Sequence, residues 1–217
     1  MRDRGADLIP RVIHRIWLGG KMPDDFVRYG ETWAKCHPAW AMRLWNETNI
    51  PRLVNDSLYE NAPKIAPRSV EQFRADVIRY ELLLEHGGLY VDADFECKRS
   101  FAELIGAANL VAAWEVDDVW VNNALLGASP GHPFIRALVR NLPASVKRNA
   151  GKPPNHLSGP RFLTKLYRQL QPNALLLPSA IAYPYLWSEL ERGGEDFPDA
   201  YAVHHWNNKR RQLRAIG

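Results

Sequence analysis

The chain has only two cysteines, Cys36 and Cys97, and no long hydrophobic run. Two cysteines are too few for the disulfide framework of a small secreted domain, so both are expected to be free thiols. No apolar stretch approaches the roughly 20 residues that a membrane-spanning helix needs. The first residues, MRDRGADLIPRVIH, are charged where a secretion signal would be apolar. These absences predict a cytoplasmic protein.

Internal repeats, low-complexity segments and Pro/Gly-rich linkers are absent as well. The 217 residues are enough to build one well-buried core, so residues 1–217 are expected to form a single domain. The net charge is +4, and no nucleic-acid-binding motif accompanies it, so no nucleic-acid partner is expected. A phosphate-bearing ligand, peripheral contact with an anionic membrane, or a solvated basic tail each accounts for the charge. The basic residues cluster near both ends: Arg2, Arg4, Arg11, Arg15, Lys209, Arg210, Arg211 and Arg214.

Residues 69–94 carry the most informative pattern in the chain. Apolar side chains recur at three- and four-residue spacing, which predicts an amphipathic helix over 69–86. These side chains are Val70, Phe73, Val77, Tyr80 and Leu84. Ser69 with Gln72 predicts a capping box, and Gly87 predicts a left-handed C-cap. A short apolar strand, 89–93, follows the glycines.

Two aspartates stand two residues apart where that strand is predicted to end. Side chains at this spacing on a strand point to the same side, so Asp92 and Asp94 are expected to converge. Asp76 and Arg79 lie one turn apart on the preceding helix and can pair. Converging carboxylates beside an arginine suit a hard divalent cation and an anionic ligand. The alternative is an ordinary solvated Asp-x-Asp turn.

The same block resembles the DXD sugar-binding region of glycosyltransferase family 32. That family includes yeast-type α-1,6-mannosyltransferases, bacterial polysaccharide transferases and, more distantly, glucosylating toxins. The matching positions are Arg74, Asp76, Arg79, Leu83, Gly87, Gly88, Leu89, Tyr90, Asp92 and Asp94. Weaker similarities follow in the family's order at 13–20, 44–46, 130–134, 158–160, 178–179, 183–185 and 204–206. The resemblance therefore covers nearly the whole chain.

Predicted strands and helices alternate along the sequence, which favours an α/β fold with a mostly parallel central sheet and helices on both faces. The resemblance identifies this architecture as the GT-A (Rossmann-like) nucleotide-sugar transferase fold. The predicted strands are 12–18, 41–45, 89–93, 110–114, 121–128, 175–177 and 201–205, and the later helices are 133–146 and 160–170. Ligands of such sheets bind beyond the carboxyl ends of the strands. Trp17, Asn46 and the aspartate pair all lie at predicted strand ends.

The resemblance implies that the first of these strand ends binds the nucleotide of a sugar donor. Trp17 would stack on the base, with Leu18 and Gly19 beside the ligand. Glycine allows the backbone to approach a ligand closely. Asn46 would add a second-rank contact. The alternative for Trp17 is an ordinary core position.

The resemblance also implies roles for the DXD block. Arg79 would hold the diphosphate or a sugar hydroxyl, and Asp76 would orient Arg79 and accept a sugar hydroxyl. Asp92 would contact the ribose or sugar together with the metal, Asp94 would be the firmer metal ligand, and Tyr90 would contact the substrate. Asp92, Asp94 and Arg79 would then form the catalytic group. The alternative for Arg79 and Asp76 is a surface ion pair.

A further metal ligand is expected near the C-terminus, where the family has a histidine. His205 is favoured over His204 for this position. Carboxylates with one imidazole suit Mn²⁺ or Mg²⁺. The segment 207–209, Asn-Asn-Lys, departs from the family's small-Ser-Trp pattern. Lys209 could therefore contact the diphosphate directly and take over part of the role of the metal.

The activity implied is transfer of a sugar from a UDP- or GDP-sugar to a hydroxyl acceptor, a glycan, in polysaccharide or glycoconjugate synthesis. A cation and Arg79 would stabilise charge on the departing diphosphate.

The resemblance implies retention of anomeric configuration. Retention by double displacement needs a nucleophile on the sugar's other face, and a front-side mechanism without one stays open. The candidates for that face are Glu115, Asp117, Asp118 and Asn123, the last also a substrate contact. Ser158 and residues 183–185 either help to form the side of the site where the acceptor binds or serve only in the packing of loops.

Two other functions are compatible with the pattern. The altered C-terminal segment and the short length suit a nucleotide-sugar- or carbohydrate-binding protein that has lost catalysis. A Mg²⁺-dependent phosphatase would place a nucleophilic aspartate after its first strand, where this chain has Trp17. The absence of a leader or anchor fits a bacterial-type cytoplasmic enzyme better than a Golgi transferase.

Overall fold

The computed structural model describes residues 8–207, and these fold around two β-sheets. The strands of this part of the chain are β1 (Val12–Ile16), β2 (Ala41–Trp45), β3 (Gly88–Val91), β4 (Phe95–Cys97), β5 (Leu110–Val116), β6 (Trp120–Ala128), β7 (Leu175–Leu177) and β8 (Ala202–His204). The basic residues at positions 2, 4 and 209–214, and the predicted role of Lys209, lie outside the described residues. Cys36 and Cys97 are free thiols, as predicted.

Helices connect most of these strands. They are α1 (Asp24–Cys36), α2 (Asp56–Glu60), α3 (Ala62–Ile65), α4 (Val70–His86), α5 (Ala102–Ile105), α6 (Pro133–Arg148), α7 (Pro154–Leu157), α8 (Pro160–Leu170) and α9 (Ser179–Ala182), with a 3₁₀ helix at Leu190–Gly194. Among the helices of residues 8–207, none combines the length and the apolar character that crossing a membrane requires.

The larger sheet has six strands in the order β2-β1-β3-β6-β5-β7. β6 pairs antiparallel with β3 and β5, and the other pairings are parallel, so five strands run one way and β6 runs against them. The predicted α/β fold with a mostly parallel sheet is therefore confirmed. β4 and β8 form a separate antiparallel pair. The predicted strand at 201–205 thus belongs to a small second sheet.

Side-chain alternation along the central strands divides the core between the two faces of the sheet. Leu89 and Val91 of β3 belong to one hydrophobic cluster, which includes Trp33 of α1. Tyr90 belongs to the other cluster, which includes Val77 of α4 and residues of α6 and α8. Helices therefore cover both faces, as expected. Burial of this kind contributes about 25 cal/mol per Å² of apolar surface.

The ends of α4 differ from the prediction. Ser69 occupies the N-cap position, but its side chain makes no capping hydrogen bond. Gln72 lines a cleft and does not cap the backbone amide of Ser69, so the predicted capping box is wrong. Gly87 has the expected positive φ of 62°, but its ψ of −158° leads the chain directly into β3. A Cβ there would lie 2.7 Å from the Pro130 nitrogen, so only glycine fits.

The aspartate pair lies in a turn and not on the strand predicted over 89–93. β3 ends at Val91, and the Asp92 amide donates the last ladder hydrogen bond, to the Ala124 carbonyl at 2.8 Å. The Phe95 amide then donates to the Asp92 carbonyl at 3.1 Å and closes the turn into β4. The two carboxylates are therefore presented by a turn between β3 and β4.

His14, on β1, is fully buried and ties three elements together. Its Nδ1 accepts a hydrogen bond from Trp45 Nε1 at 3.0 Å, so the proton is on Nε2. That nitrogen donates to the Gly87 carbonyl at 2.9 Å. Burial lowers the pKa of His14 from 6.5 to about 4. The ring is therefore neutral at neutral pH, and the β1–β2–α4 junction depends on that form.

We expect acid to destabilise the fold through His14. The His14 imidazole takes up a proton near pH 6.5 in the unfolded chain, but in the folded protein it stays neutral down to about pH 4. Stability is therefore lost as the pH falls through this window, by about 3 kcal/mol. Urea unfolding of the wild type and of His14→Asn from pH 7 to pH 4 isolates this contribution. Their difference in unfolding free energy should shrink by that amount, and a constant difference would contradict the assignment.

Candidate active site

The carboxyl ends of β1 and β3 open onto a cleft of about 320 Å³, with α4 forming one wall. This is the edge at which the sequence predicted a ligand. Seven predicted site residues line the cleft: Trp17, Leu18, Gly19, Arg79, Tyr90, Asp92 and Asp94. Lining residues that the sequence reasoning missed include Ile16, Ala93, Phe26, Glu71, Gln72 and Ala75. The last three precede Arg79 on one side of α4, and this helical spacing was the available signal.

Asp92 and Asp94 line the cleft, and the buried His204 joins them as a third potential metal ligand. One ligand atom from each of Asp92, Asp94 and His204 lies within 4.8 Å of the others. His204 Nε2 is 3.1 Å from Asp94 Oδ1 and 3.9 Å from Asp92 Oδ2. Although the shorter distance suits a hydrogen bond, the angle does not, and this buried nitrogen has no aligned partner among residues 8–207. Two carboxylates and an imidazole nitrogen that converge in this way fit a divalent cation.

The charges at this point call for a positive ion. Burial opposes protonation of His204, but Asp94 and Asp92 outweigh it and raise the pKa of His204 to about 9. Burial also opposes ionisation of Asp94, but His204 outweighs it and holds the pKa of that carboxyl below its usual value. A proton on His204 therefore balances the carboxylates, and a bound cation would supply the same charge.

The structure brings His204, and not the predicted His205, to the aspartates. His204 sits in β8 opposite Phe95 of β4, and adjacent side chains of a strand point to opposite sides. His205 turns away, stacks on Tyr29 at a ring distance of 4.6 Å, and places Nε2 3.0 Å from Glu96 Oε2. This contact with His205 lowers the pKa of Glu96 to about 2. The structure therefore offers His204, in place of the predicted His205, as the candidate metal ligand.

The segment after β8 also fixes Asp94 by its backbone. The amide of His205 donates to the Asp94 carbonyl at 3.0 Å, and the amide of Asn207 donates to Asp94 Oδ2 at 2.9 Å. One oxygen of the carboxylate is thereby held, and Oδ1 is left facing His204. The C-terminal segment thus orients Asp94 even though the side chain of His205 does not join the group.

Arg79 is the anchor of Asp92. Its Nη2 lies 3.1 Å from a carboxylate oxygen of Asp92 and 3.1 Å from one of Asp76, and its Nη1 donates to the Asn123 carbonyl at 2.7 Å. The Tyr90 hydroxyl donates to the same Asp92 oxygen at 2.7 Å, and its ring lies 4.4 Å from the guanidinium. Arg79 is 3 % exposed, so the surface ion pair considered as the alternative is wrong.

The pKa of Arg79 is raised although burial opposes its charge, because Asp92, Tyr90 and Asp76 surround it. Asp76 and Asn123 lie behind Arg79 and not at the cleft surface, which differs from their predicted contact with substrate. Asp76 accepts from Ser158 Oγ at 2.6 Å and from Asn123 Nδ2 at 2.8 Å. Their polar atoms are satisfied inside the protein. These residues therefore position Arg79.

The loop after β1 forms the other wall. Trp17 is half-buried and packs on Phe26 at a ring distance of 5.0 Å, while its Nε1 donates to the Gly20 carbonyl at 3.0 Å. Its ring lines the cleft, so Trp17 is not a core residue. Gly19 has a φ of 89°. The predicted contact Asn46 lies outside the lining and accepts hydrogen bonds from Thr48 within its own turn.

Arg15, on β1, is a site residue that the sequence reasoning missed. Its Nη2 donates to the Ala93 carbonyl at 2.8 Å and to the Phe26 carbonyl at 2.6 Å. It thereby fixes the middle residue of the Asp-Ala-Asp turn. Gly30 of α1 lies so close to the guanidinium that a Cβ would collide with it. The signal for this role was a charged residue between the apolar positions 13 and 16 of a predicted buried strand.

Comparisons with known proteins agree with this site. Residues 23–112 match the family described as a glycosyltransferase sugar-binding region containing a DXD motif. Inositol phosphoceramide mannosyltransferase 3 of Schizosaccharomyces pombe is 28 % identical over 211 residues, which are 92 % of this chain and 56 % of that protein. Mannosyl phosphorylinositol ceramide synthase CSH1 of Saccharomyces cerevisiae is 25 % identical over 165 residues, covering 75 % and 43 %. The chain spans about half the length of the curated relatives it matches.

Solved structures establish the fold. The PaToxG glycosyltransferase superposes with a TM-score of 0.63 at 17 % identity, covering 75 % of this chain and 70 % of that one. The galactosyltransferase LgtC, in complex with donor and acceptor sugar analogues, gives a TM-score of 0.52 at 11 % identity, covering 89 % and 86 %. The fold and the DXD site are those of a GT-A glycosyltransferase. Within that class, the match over residues 23–112 and the mannosyltransferase relatives support the predicted resemblance to glycosyltransferase family 32.

We expect the two neighbouring histidines to differ in metal binding. His204→Ala removes a ligand, so the Kd for Mn²⁺ should rise by at least about tenfold. His205→Ala removes the contacts with Glu96 and Tyr29, outside the Asp92–Asp94–His204 group, and should change that Kd by less than about threefold. Calorimetric titration of each folded variant with Mn²⁺ measures both. The opposite ranking would restore His205 as the ligand.

We expect Trp17→Ala to weaken binding of a free nucleoside diphosphate. Loss of a stacked base should cost about 1–3 kcal/mol, by analogy with base–aromatic stacking in nucleic-acid binding. Calorimetry with UDP and GDP in the presence of Mn²⁺ is the measurement. Trp187→Ala is the matched control, since Trp187 is 51 % exposed and does not line the cleft. Equal affinities in the two variants would show that Trp17 does not stack on the base.

Proposed function

We propose that the chain transfers a hexosyl group from a UDP- or GDP-sugar to a hydroxyl acceptor, with a divalent cation held by Asp92, Asp94 and His204. The observation that carries the proposal is the buried His204 Nε2, which faces two carboxylates without an aligned hydrogen-bond partner. Asp92 and Asp94 line the same cleft as Trp17. The names of the yeast relatives make mannose the first sugar to test.

The leaving diphosphate gains negative charge as the anomeric C–O bond breaks, so the site must supply positive charge there. When bound, Mn²⁺ or Mg²⁺ would act as a Lewis acid on the diphosphate oxygens. The protein's contribution is to hold Asp92 and Asp94 at fixed positions. Arg79 and Tyr90 hold Asp92, while the backbone of His205 and Asn207 holds Asp94.

Arg79 acts here as a positioning residue. Its guanidinium nitrogens are directed at Asp92, Asp76 and the carbonyls of Asn123 and Ala75. With these partners in place, Arg79 cannot grip a diphosphate without releasing an aspartate. The nucleotide itself would be held by Trp17 and by the backbone around Gly19.

Of the carboxylates considered as a nucleophile on the far side of the sugar, one remains suited to that role. Asp117 accepts hydrogen bonds from the amide and hydroxyl of Ser179, and Asp118 is exposed in the β5–β6 hairpin. Glu115 accepts from Asn122 Nδ2 at 2.8 Å and interacts electrostatically with His204. Burial raises the pKa of Glu115. If transfer proceeds with retention, Glu115 is the carboxylate that we place nearest the sugar.

The acceptor would belong to one of two classes. A glycan hydroxyl fits a role in polysaccharide or glycoconjugate synthesis. A phosphodiester-bearing acceptor corresponds to the inositol phosphoceramide in the names of the fission-yeast relatives. Each offers a hydroxyl as nucleophile to the same donor.

We expect turnover of a nucleotide sugar to depend on Asp94. In a screen of UDP- and GDP-sugars with Mn²⁺, the best donor should be hydrolysed by the wild type and spared when EDTA is added. Asp94→Asn keeps the shape of the side chain but weakens the cation site, which should cost several kcal/mol, or roughly a thousandfold in rate. Thermal melting should show that the variant is folded.

Asp118→Asn is the control, since it removes an exposed carboxylate of the nearby hairpin and should change the rate by less than about twofold. Turnover near the wild-type level in folded Asp94→Asn would refute the cation site. Binding of nucleoside diphosphate without turnover of any donor would favour a binding protein that has lost catalysis.

A further inference from the structure

A second depression, of about 450 Å³, lies between α6, α7, α8 and the start of β6. We call it the basic groove. Its charged and titratable lining residues are Arg148, His156, Arg161, Lys165 and Arg168, and its lining includes no aspartate or glutamate. Trp120 and Phe162 give it an aromatic side. A concave surface with several cations and no carboxylate is suited to an anionic ligand.

The cations of the basic groove are held in place without being neutralised. Arg161 lies over the Trp120 ring at 4.5 Å, and Arg168 Nη2 donates to the carbonyls of Asp118 and Val119 at 2.8 and 3.0 Å. Across residues 8–207, no carboxylate forms an ion pair with Arg148, Arg161, Lys165 or Arg168. Preorganised arginines of this kind favour phosphate, because the guanidinium can bind it in a bidentate manner.

The field inside the basic groove is positive. The pKa of His156 is lowered, first by burial and then by the charges of Arg161 and Lys152. One carboxylate near the rim, Glu115, interacts with Arg161 but lies outside the lining and accepts its hydrogen bond from Asn122. The cations therefore keep most of their charge for a ligand.

One end of the basic groove, at Trp120, lies at the same sheet edge as the candidate active site. β6 runs against the other strands, so its first residue, Trp120, lies at the sheet edge where the cleft opens. Asn123, which contacts Asp76 and Arg79, is three residues further along β6, or about 10 Å. Glu115 interacts electrostatically with Arg161 on one side and with His204 on the other. A molecule of modest size could therefore reach from the basic groove to the cleft.

We propose that the basic groove binds the phosphate group of the acceptor and so directs the acceptor's hydroxyl toward the donor sugar. This inference rests on the proposed transferase function, and it selects the phosphate-bearing class of acceptor. The phosphate can belong to a soluble compound or to a lipid headgroup, since the groove recognises the chemistry that the two share.

The test uses a phosphodiester probe, glycerophosphoinositol, titrated into the whole chain by calorimetry in EDTA. EDTA excludes a contribution from a cation at the aspartates. Arg161→Gln combined with Lys165→Gln should raise the Kd at least tenfold. The matched control is Lys35→Gln combined with Arg140→Gln, which removes two exposed charges outside the groove and should change the Kd less than twofold.

Arg161 and Lys165 are exposed, so both double variants should melt near the wild-type temperature. If Arg161→Gln with Lys165→Gln fails to fold, Arg148→Gln supplies the second test, with a smaller loss in the same direction. Equal affinity of the two double variants, or no binding of the phosphodiester in either form by the wild type, would overturn the proposal.

Vesicle flotation distinguishes the two sources of the phosphate. The vesicles are phosphatidylcholine with or without one-fifth phosphatidylinositol. Groove-dependent binding to the phosphatidylinositol vesicles assigns the site to a lipid headgroup, and groove-dependent binding of the soluble probe alone assigns it to a free acceptor. Either result supports the phosphate site. Because these assays need no sugar donor, their failure is distinct from the absence of donor turnover, which would refute the transferase function.

Discussion

The site depends on one buried guanidinium. Arg79 lies between the buried Asp76 and the partly exposed Asp92, is itself almost fully removed from solvent, and carries the positive charge that faces both carboxylates. Removing either partner of such a buried pair typically costs about 3–5 kcal/mol, because the remaining charge is left uncompensated. Ser158 and Asn123 complete the shell around Asp76. Asp92 is therefore held by α4 and β6 as much as by its own turn.

The second half of the site is assembled by a long-range pairing. β4 begins just after the DXD turn, and its antiparallel partner β8 comes from the far end of the described chain. This pairing carries His204 to Asp94 and lets the amides of His205 and Asn207 hold that carboxylate. The two aspartates are thus oriented from different directions, Asp92 by Arg79 and Asp94 by the C-terminal segment. The candidate cation site depends on both supports.

The sequence was sufficient for features that depend on local periodicity. The helix 70–86, the glycines after it, the central strands and their shared ligand edge all follow from patterns within short windows. The sequence was not sufficient for features that depend on contacts between distant segments. The choice between His204 and His205 depends on the register of β8 against β4, which no local pattern shows. The burial of Asp76 and Asn123 behind Arg79 likewise depends on how β6 and the loop at Ser158 pack on α4.

The central claim is that Asp92, Asp94 and His204 hold the divalent cation on which sugar transfer depends. A crystal structure of the chain grown with Mn²⁺ and a nucleoside diphosphate, with anomalous data collected at the manganese edge, tests it most directly. The account predicts one strong anomalous peak within coordination distance of Asp92, Asp94 and His204 Nε2. A peak coordinated by His205 or Glu96, or no ordered manganese at the aspartates, would contradict it.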